Sequence, residues 1–523
     1  MEVCRINTTM GINIKSILNR IDQENLSEDS ISILDIAKLI QSKIDCEIEI
    51  KDSKDPRSYR LDSTKLIKTG FSQENSIELP LIGDRLSGAV SETEEEMLGR
   101  QFLRDLKRET DILYDPIIQE WTELFVYKIG ESSKVNKKTF EILVIEDNRL
   151  NAFAAPGGVI GINAGLFKHA DNEAQFASVV AHELAHLSER HFARQILENS
   201  DRSNANMATI LASIVVAVAS RNPAALIGGQ GLLVNQRLRF SRLYETEADR
   251  EGFITLEKSG YKTSEMSEMF KNMQEIRRLS GDNIPEFLLT HPITTRRITE
   301  ARERSRTASD EGILDSLNFK LIKARVKFLM TDNLGIKALE NERDDSDEGK
   351  YFAALLETKK LNYSKSLSIL EALENKYPDN LIIKTSIAEI LTESGNIGKS
   401  KAYTQELLDI SLGNYPLSYN LANAYILEDN FLAAEQLLED IKFYRPVDIN
   451  LLKDLSEVQE KSNNMLGFHL TNSEYLFYSG RYEEALRDLE RARRIATNNF
   501  KIREIITERI LILRTYVANS RGR

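Results

Sequence analysis

Apolar residues along much of this chain recur three and four apart, the spacing of a helix with one buried face. That spacing predicts a helix over Ile31–Ile44 and a helical stretch from about Ser91 to Ser132. It predicts another around the apolar, glycine-free run Val179–Leu187. Ser91-Glu-Thr-Glu has the pattern of a helix start with a capping carboxylate. Alternation takes over at Cys46–Ile50 (CEIEI), Thr139–Val144 (TFEILV) and Asn151–Ile162 (NAFAAPGGVIGI). These read as strands, the last as two short ones joined at Pro156-Gly157-Gly158. Met207–Ala219 is the longest apolar run and falls short of the roughly twenty residues a membrane span needs. It reads first as a buried core helix, and second as a lid over a site or a peripheral membrane contact. A loop at 220–230, with Pro223 and Gly228-Gly229, separates it from a helix holding Arg239–Arg250.

From about Tyr351 the pattern is helical throughout and periodic. Asn362, Asn396 and Asn430 are 34 residues apart, as are Ala354, Ala388 and Ala422. Pro378 and Pro446 are separated by twice that interval. A small residue inside the first helix and a proline near the unit's end, at that period, is the tetratricopeptide signature. Tyr478–Ala492 is the cleanest unit but lies half a repeat out of phase, which an extra helix near Asp448–Lys461 accounts for. About four units plus odd helices are expected, closed by a helix around Lys501–Val517. Such an array binds partners in its concave face, packs on the preceding domain, or does both.

At 523 residues the chain exceeds what one core supports. The texture divides it into 1–77, a polar and weakly patterned region of unassigned role; 78–335, where helical and strand patterns mix; and 336–523, the repeat domain. A net charge of −12 argues against nucleic acid as a partner. The two cysteines, Cys4 and Cys46, have no metal-ligand spacing. The first thirty residues show neither a long apolar core nor a small-residue cleavage site, so no signal peptide is read there.

The chemistry centres on His182-Glu183-Leu184-Ala185-His186. On a helix, positions four apart share a face, so both imidazoles can take corners of one tetrahedral zinc site. Glu183 is placed to accept a proton from a metal-bound water. Such a site needs a third protein ligand and an open fourth position. Glu245 is the candidate, with Asp249 one turn on to hydrogen-bond a ligating histidine, while Glu247 points elsewhere. His291, before Pro292, reads equally as part of a capping turn or as a fourth ligand or transition-state donor. The edge of a strand beside such a helix can hold an extended peptide by backbone hydrogen bonds.

Together, Asn151-Ala152-Phe153-Ala154, Gly157-Gly158, His182-Glu183-x-x-His186, Glu245-x-Glu247-Ala248-Asp249 and His291-Pro292 resemble the zinc metallopeptidases of the HtpX and CAAX-prenyl-protease type. Within them the likeness is to the β-barrel assembly-enhancing branch, from about Glu78 to the C-terminus. The resemblance implies a mostly α fold: a zincin-type domain with a small β-sheet, followed by a tetratricopeptide solenoid. It implies one zinc ion per chain held by His182, His186 and Glu245, with Glu183 as general base and acid and Asp249 in support. His291 would be a reversible fourth ligand that restrains activity. Arg297 matches a family arginine that contacts substrate or transition state. The branch is periplasmic, begins with an export signal where this chain has 1–77, and degrades or assists outer-membrane β-barrel proteins beside the barrel-assembly machinery. A zinc endopeptidase with chaperone-like behaviour is therefore expected. A non-catalytic repeat scaffold with a latent metal site is the alternative.

Overall fold

A computed structural model describes residues 2–7, 47–52, 92–136, 138–198, 211, 212, 214–216, 219, 241–281, 284–308, 311–339, 344–497 and 499–521. The chain divides into two compact units, Met1–Gly83 and Asp84–Arg523. In the first, β1 (Glu2–Asn7) pairs antiparallel with β2 (Glu47–Asp52), setting Cys4 opposite Ile50. The strand expected at Cys46–Ile50 is thus present as β2. The helix expected over Ile31–Ile44 and the loop at 220–230 lie outside the described residues.

The second unit begins with α1 (Glu92–Glu109) and α2 (Pro116–Ser132). The single helical stretch expected there breaks because the Asp115 side chain caps α2 through the Ile118 N–H and Pro116 fills the first helical position. β3 (Glu141–Ile145), β4 (Ala152–Ala155) and β5 (Val159–Asn163) form a sheet of order β3-β5-β4. β3 runs parallel to β5, and β4 pairs antiparallel with it in the register Ala154 opposite Ile160. β4 is therefore an edge strand.

Next come α3 (Ala164–His169), α4 (Glu173–Ser188) and α5 (His191–Glu198). Every residue of α4 from Glu173 to His186 is buried, yet Gln175, Ser178, His182 and His186 form a polar stripe at helical spacing inside that core. Around it Trp121, Phe125, Phe167, Phe176 and Phe319 interlock, with ring centroids 4.6–6.4 Å apart. Of the apolar run 207–219, the described positions are helical. Leu211, Ile214 and Val215 share a core with Phe102 and Leu103 of α1, the buried-helix reading. Among the described residues no helix is long and apolar enough to cross a membrane.

α6 (Arg242–Lys258) packs against α4, followed by α7 (Ser264–Leu279), α8 (Glu286–Thr290), α9 (Thr295–Thr307), α10 (Leu317–Met330) and α11 (Asn333–Leu339). The array then runs as antiparallel neighbours: α12 (Asp347–Lys359), α13 (Tyr363–Lys376), α14 (Leu381–Glu393), α15 (Ile397–Ile410), α16 (Tyr415–Leu427) and α17 (Phe431–Tyr444). It ends with α18 (Ile449–Lys461), α19 (Met465–Tyr478), α20 (Tyr482–Ile495) and α21 (Phe500–Arg521). The 34-residue period has a visible cause. Thr358 and Thr392 each meet a serine of the next helix, Ser366 at 2.8 Å and Ser400 at 2.6 Å. Those serines also donate to the Ala354 and Ala388 carbonyls. Helices approach that closely only over a small residue. α18 starts 34 residues after α16, so it continues the period and is not the extra helix expected, and α19 packs on both α18 and α20.

The array is seated on α2. Arg325 of α10 bridges Asp115 to Glu389 of α14, at 2.7 and 2.9 Å. Asn414 donates to Glu120 at 3.2 Å, and Arg445 forks onto Glu123. The Lys107 ammonium reaches the Val447 carbonyl at 2.6 Å.

Candidate metal centre

Two helices make the site, and a glycine sets how near they come. A Cβ added at Gly252 of α6 would lie 3.1 Å from the His182 backbone of α4, so only glycine permits this approach without displacement. One and two turns back along α6, Asp249 and Glu245 then face the polar stripe of α4. His182 Nε2 and His186 Nε2 are 3.1 Å apart. The Glu245 carboxylate lies 3.6 Å from the first and 3.5 Å from the second.

His291, at the C-terminal cap of the short α8, completes the cluster: its Nδ1 is 2.8 Å from Glu245 Oε1 and its Nε2 3.7 Å from Glu183 Oε1. One ligand atom from each of His182, His186, Glu245 and His291 fits within 4.8 Å of the others, and all four residues are buried. Nitrogen lone pairs and carboxylate oxygens converging on one buried point, with both first imidazoles engaged from behind through Nδ1, are the donor set a divalent ion fits. This donor chemistry suits zinc.

Each supporting contact has a recognisable job. His182 Nδ1 lies 3.1 Å from Asp249 Oδ1. Arg297 of α9 forks onto Asp249 at 2.7 Å twice, reaches Glu245 Oε2 at 2.7 Å and donates to the Pro292 carbonyl at 3.1 Å. Its guanidinium is thus committed to the carboxylates of α6. Glu183 is split: Oε2 accepts from the Ala154 N–H of the edge strand at 3.1 Å, while Oε1 is buried without a hydrogen-bond partner.

Electrostatics follows from this arrangement. Burial pushes the Glu183 carboxyl up, partly offset by His291 and His182. Burial also opposes ionisation of Glu245, but His291 and Arg297 outweigh it and hold that carboxyl well below its ordinary range. Asp249 is likewise held low against burial by Arg297. Burial drives His186 well below its ordinary value, leaving it neutral as a metal ligand must be.

The structure brings together His182, Glu183, His186, Glu245, Asp249, His291 and Arg297. Ala154 touches Glu183. Asn151 donates to Glu286 at 3.4 Å instead, and Ala152 and Phe153 lie along the edge strand between. Sequence reasoning passed over His191, whose Nδ1 lies 2.8 Å from His186 Nδ1 and whose Nε2 lies 3.1 Å from Glu247 Oε2. Helical spacing cannot place a residue five positions after His186 beneath it. The chain does so because α4 ends at Ser188 and Arg190 turns into the left-handed region, φ 51°. Glu247 points away from the four-atom cluster, as its position on α6 requires, and its partner is at the back of the site.

Residues 116–305 match the profile of Peptidase family M48, from the start of α2 nearly to the end of α9. A β-barrel assembly-enhancing protease from Escherichia coli (strain K12) is 28% identical over 78% of this chain and 85% of its own length. One from Yersinia pestis is 26% identical over 78% of this chain and 86% of its own. The mitochondrial metalloendopeptidase OMA1 of Arabidopsis thaliana is 29% identical over 45% of this chain and 44% of its own. Residues 116–305 thus resemble Peptidase family M48, and the chain that carries them is a metalloendopeptidase similar to the β-barrel assembly-enhancing proteases.

Proposed function

We propose that the chain is a zinc-dependent endopeptidase of the periplasm that acts on stalled or unfolded outer-membrane β-barrel proteins. One observation carries the chemistry: two imidazoles from α4 and one carboxylate from α6 converge on a point beside a Glu183 oxygen that accepts no hydrogen bond. In this reading His182, His186 and Glu245 hold one zinc ion. Bound there, zinc would supply Lewis acidity towards a water and a peptide carbonyl.

The rest falls to the chain's own groups. Glu183 Oε1 takes the water's proton and passes it to the departing amine. Its other oxygen, held by the Ala154 N–H, fixes the carboxylate against the edge strand. Residues 151–154 offer the backbone of that edge to an extended substrate. Asp249 orients His182, and Arg297, held by Asp249 and Glu245, keeps both carboxylates in register. His291 lies where it can approach as a reversible fourth ligand. The domain boundaries near 78 and 336 rest on the change of sequence texture, and the barrel-related substrates on likeness to the assembly-enhancing proteases, with the array as the partner-binding part.

Hydrolysis of casein by the purified chain, abolished by a chelator and restored by zinc, is the expected result. No chelator-sensitive cleavage would overturn the reading. The burial of His291 against Glu245 and Glu183 favours one second reading, a scaffold whose metal site is latent. Rescue of a barrel-assembly defect by Glu183→Gln would support it; failure to rescue would count against it.

A further inference from the structure

His182 is braced from behind by a carboxylate held by an arginine. His186 is braced by something different: His191, with Glu247 and Arg194 beyond it. We infer that His191, Glu247 and Arg194 form a positioning relay that fixes the tautomer and orientation of His186 for metal binding. The inference rests on the proposed metal reading of His186.

The hydrogen-bond directions follow from the geometry. If His186 offers Nε2 to an ion, its proton sits on Nδ1. His191 Nδ1, 2.8 Å away, is then the acceptor, and the His191 proton sits on Nε2. That nitrogen points at Glu247 Oε2 at 3.1 Å, an acceptor only. Arg194 Nη1 lies 2.7 Å from the same carboxylate oxygen, so the relay ends on a fixed anion. Each link permits one direction of donation, and all agree.

The surroundings are built to keep His191 in place. It is fully buried, and its ring stacks on Tyr244 at 4.6 Å with an interplanar angle of 17°. The Arg194 guanidinium covers the same Tyr244 ring at 4.6 Å. The turn that delivers His191 is strained: Arg190 is a non-glycine residue at φ 51°, anchored through its guanidinium to Glu95 at 2.9 Å. Strain of that kind persists only where the surroundings over-determine it, and it marks functional positions. Outer partners of ligating histidines typically tune metal affinity about 10–100-fold when removed.

The test measures the zinc dissociation constant by competition with a chromophoric chelator, with the metal-free melting curve recorded for each variant. His191→Phe keeps the stacking on Tyr244 but can neither accept nor donate, and should weaken zinc about 10–100-fold. His191→Gln presents an amide oxygen and N–H in place of the two ring nitrogens and should recover to within about threefold of wild type. Glu247→Gln, at a partly exposed position, should weaken zinc by about tenfold and serves if the buried variants do not fold. Equal affinity in all three and wild type overturns the relay, as does affinity kept by Phe and lost by Gln, which a space-filling role alone would give. A wild-type chain that takes up no metal overturns the metal reading itself, and the relay with it.

Discussion

Glu183 does two things with two oxygens, and a single substitution separates them. Glutamine at 183 keeps an oxygen for the Ala154 N–H but cannot take a proton. Glu183→Gln should therefore retain zinc while casein cleavage falls by about 10²–10⁴, the usual worth of a positioned general base. Loss of metal together with activity would mean that Glu183 is a ligand instead. The residues of this site that share a helix face were legible in the sequence, because i to i+4 spacing on α4 and α6 carries their geometry. Those brought in by a turn were legible only in part. His291 could be named as a candidate, but its contact with Glu245 depends on the cap of α8. His191 could not be named at all, because its placement rests on one backbone torsion at Arg190.

Among the helices, the 34-residue period was readable because asparagine recurs at the caps. The Asn430 side chain accepts from Ala433 N at the start of α17, and the fourth member, Asn464, accepts from Gly467 N at the start of α19. The residues just before these caps were not readable, since Leu361, Gly395, Asp429 and Asn463 share no chemistry. They share a conformation, with φ of 63°, 76°, 57° and 65°. Leucine in that region costs about 1–2 kcal/mol relative to the right-handed one, whereas glycine is indifferent to it. Leu361 is 70% exposed, so little packing is lost with its side chain. Leu361→Gly should stabilise the chain by about 1 kcal/mol after allowing for glycine's greater freedom when unfolded. Gly395→Leu, where added atoms meet open space, should destabilise it by about 1–2 kcal/mol. Urea midpoints at constant slope check both, and shifts of like sign would contradict the conformational account.

Across the whole second unit, α2 is where peptidase and array meet. Its Glu120 and Glu123, with the capping Asp115, would pass in sequence for a solvated helix face, because their partners lie hundreds of residues away. Two carboxylates, Asp115 and Glu389, share the buried Arg325. Arg325→Met leaves both without their cation and should cost about 3–5 kcal/mol by urea unfolding. Burial pushes Glu389 up to about 7 despite Arg325. Folding therefore favours its protonated form, a contribution complete below the ordinary 4.5 and lost as pH rises through about 7. Between pH 5 and 8, Glu389→Gln should flatten a fall in stability of about 1–3 kcal/mol. An unchanged pH profile in the variant would contradict this assignment.

The central claim is that side chains from α4 and α6 hold one metal ion, and elemental analysis of purified protein tests it most directly. Wild type and Glu183→Gln should each carry one zinc per chain through exhaustive dialysis, while His182→Ala, His186→Ala and Glu245→Ala should not. A wild-type chain without tightly held zinc, or a Glu245→Ala variant that keeps it undiminished, would contradict the account.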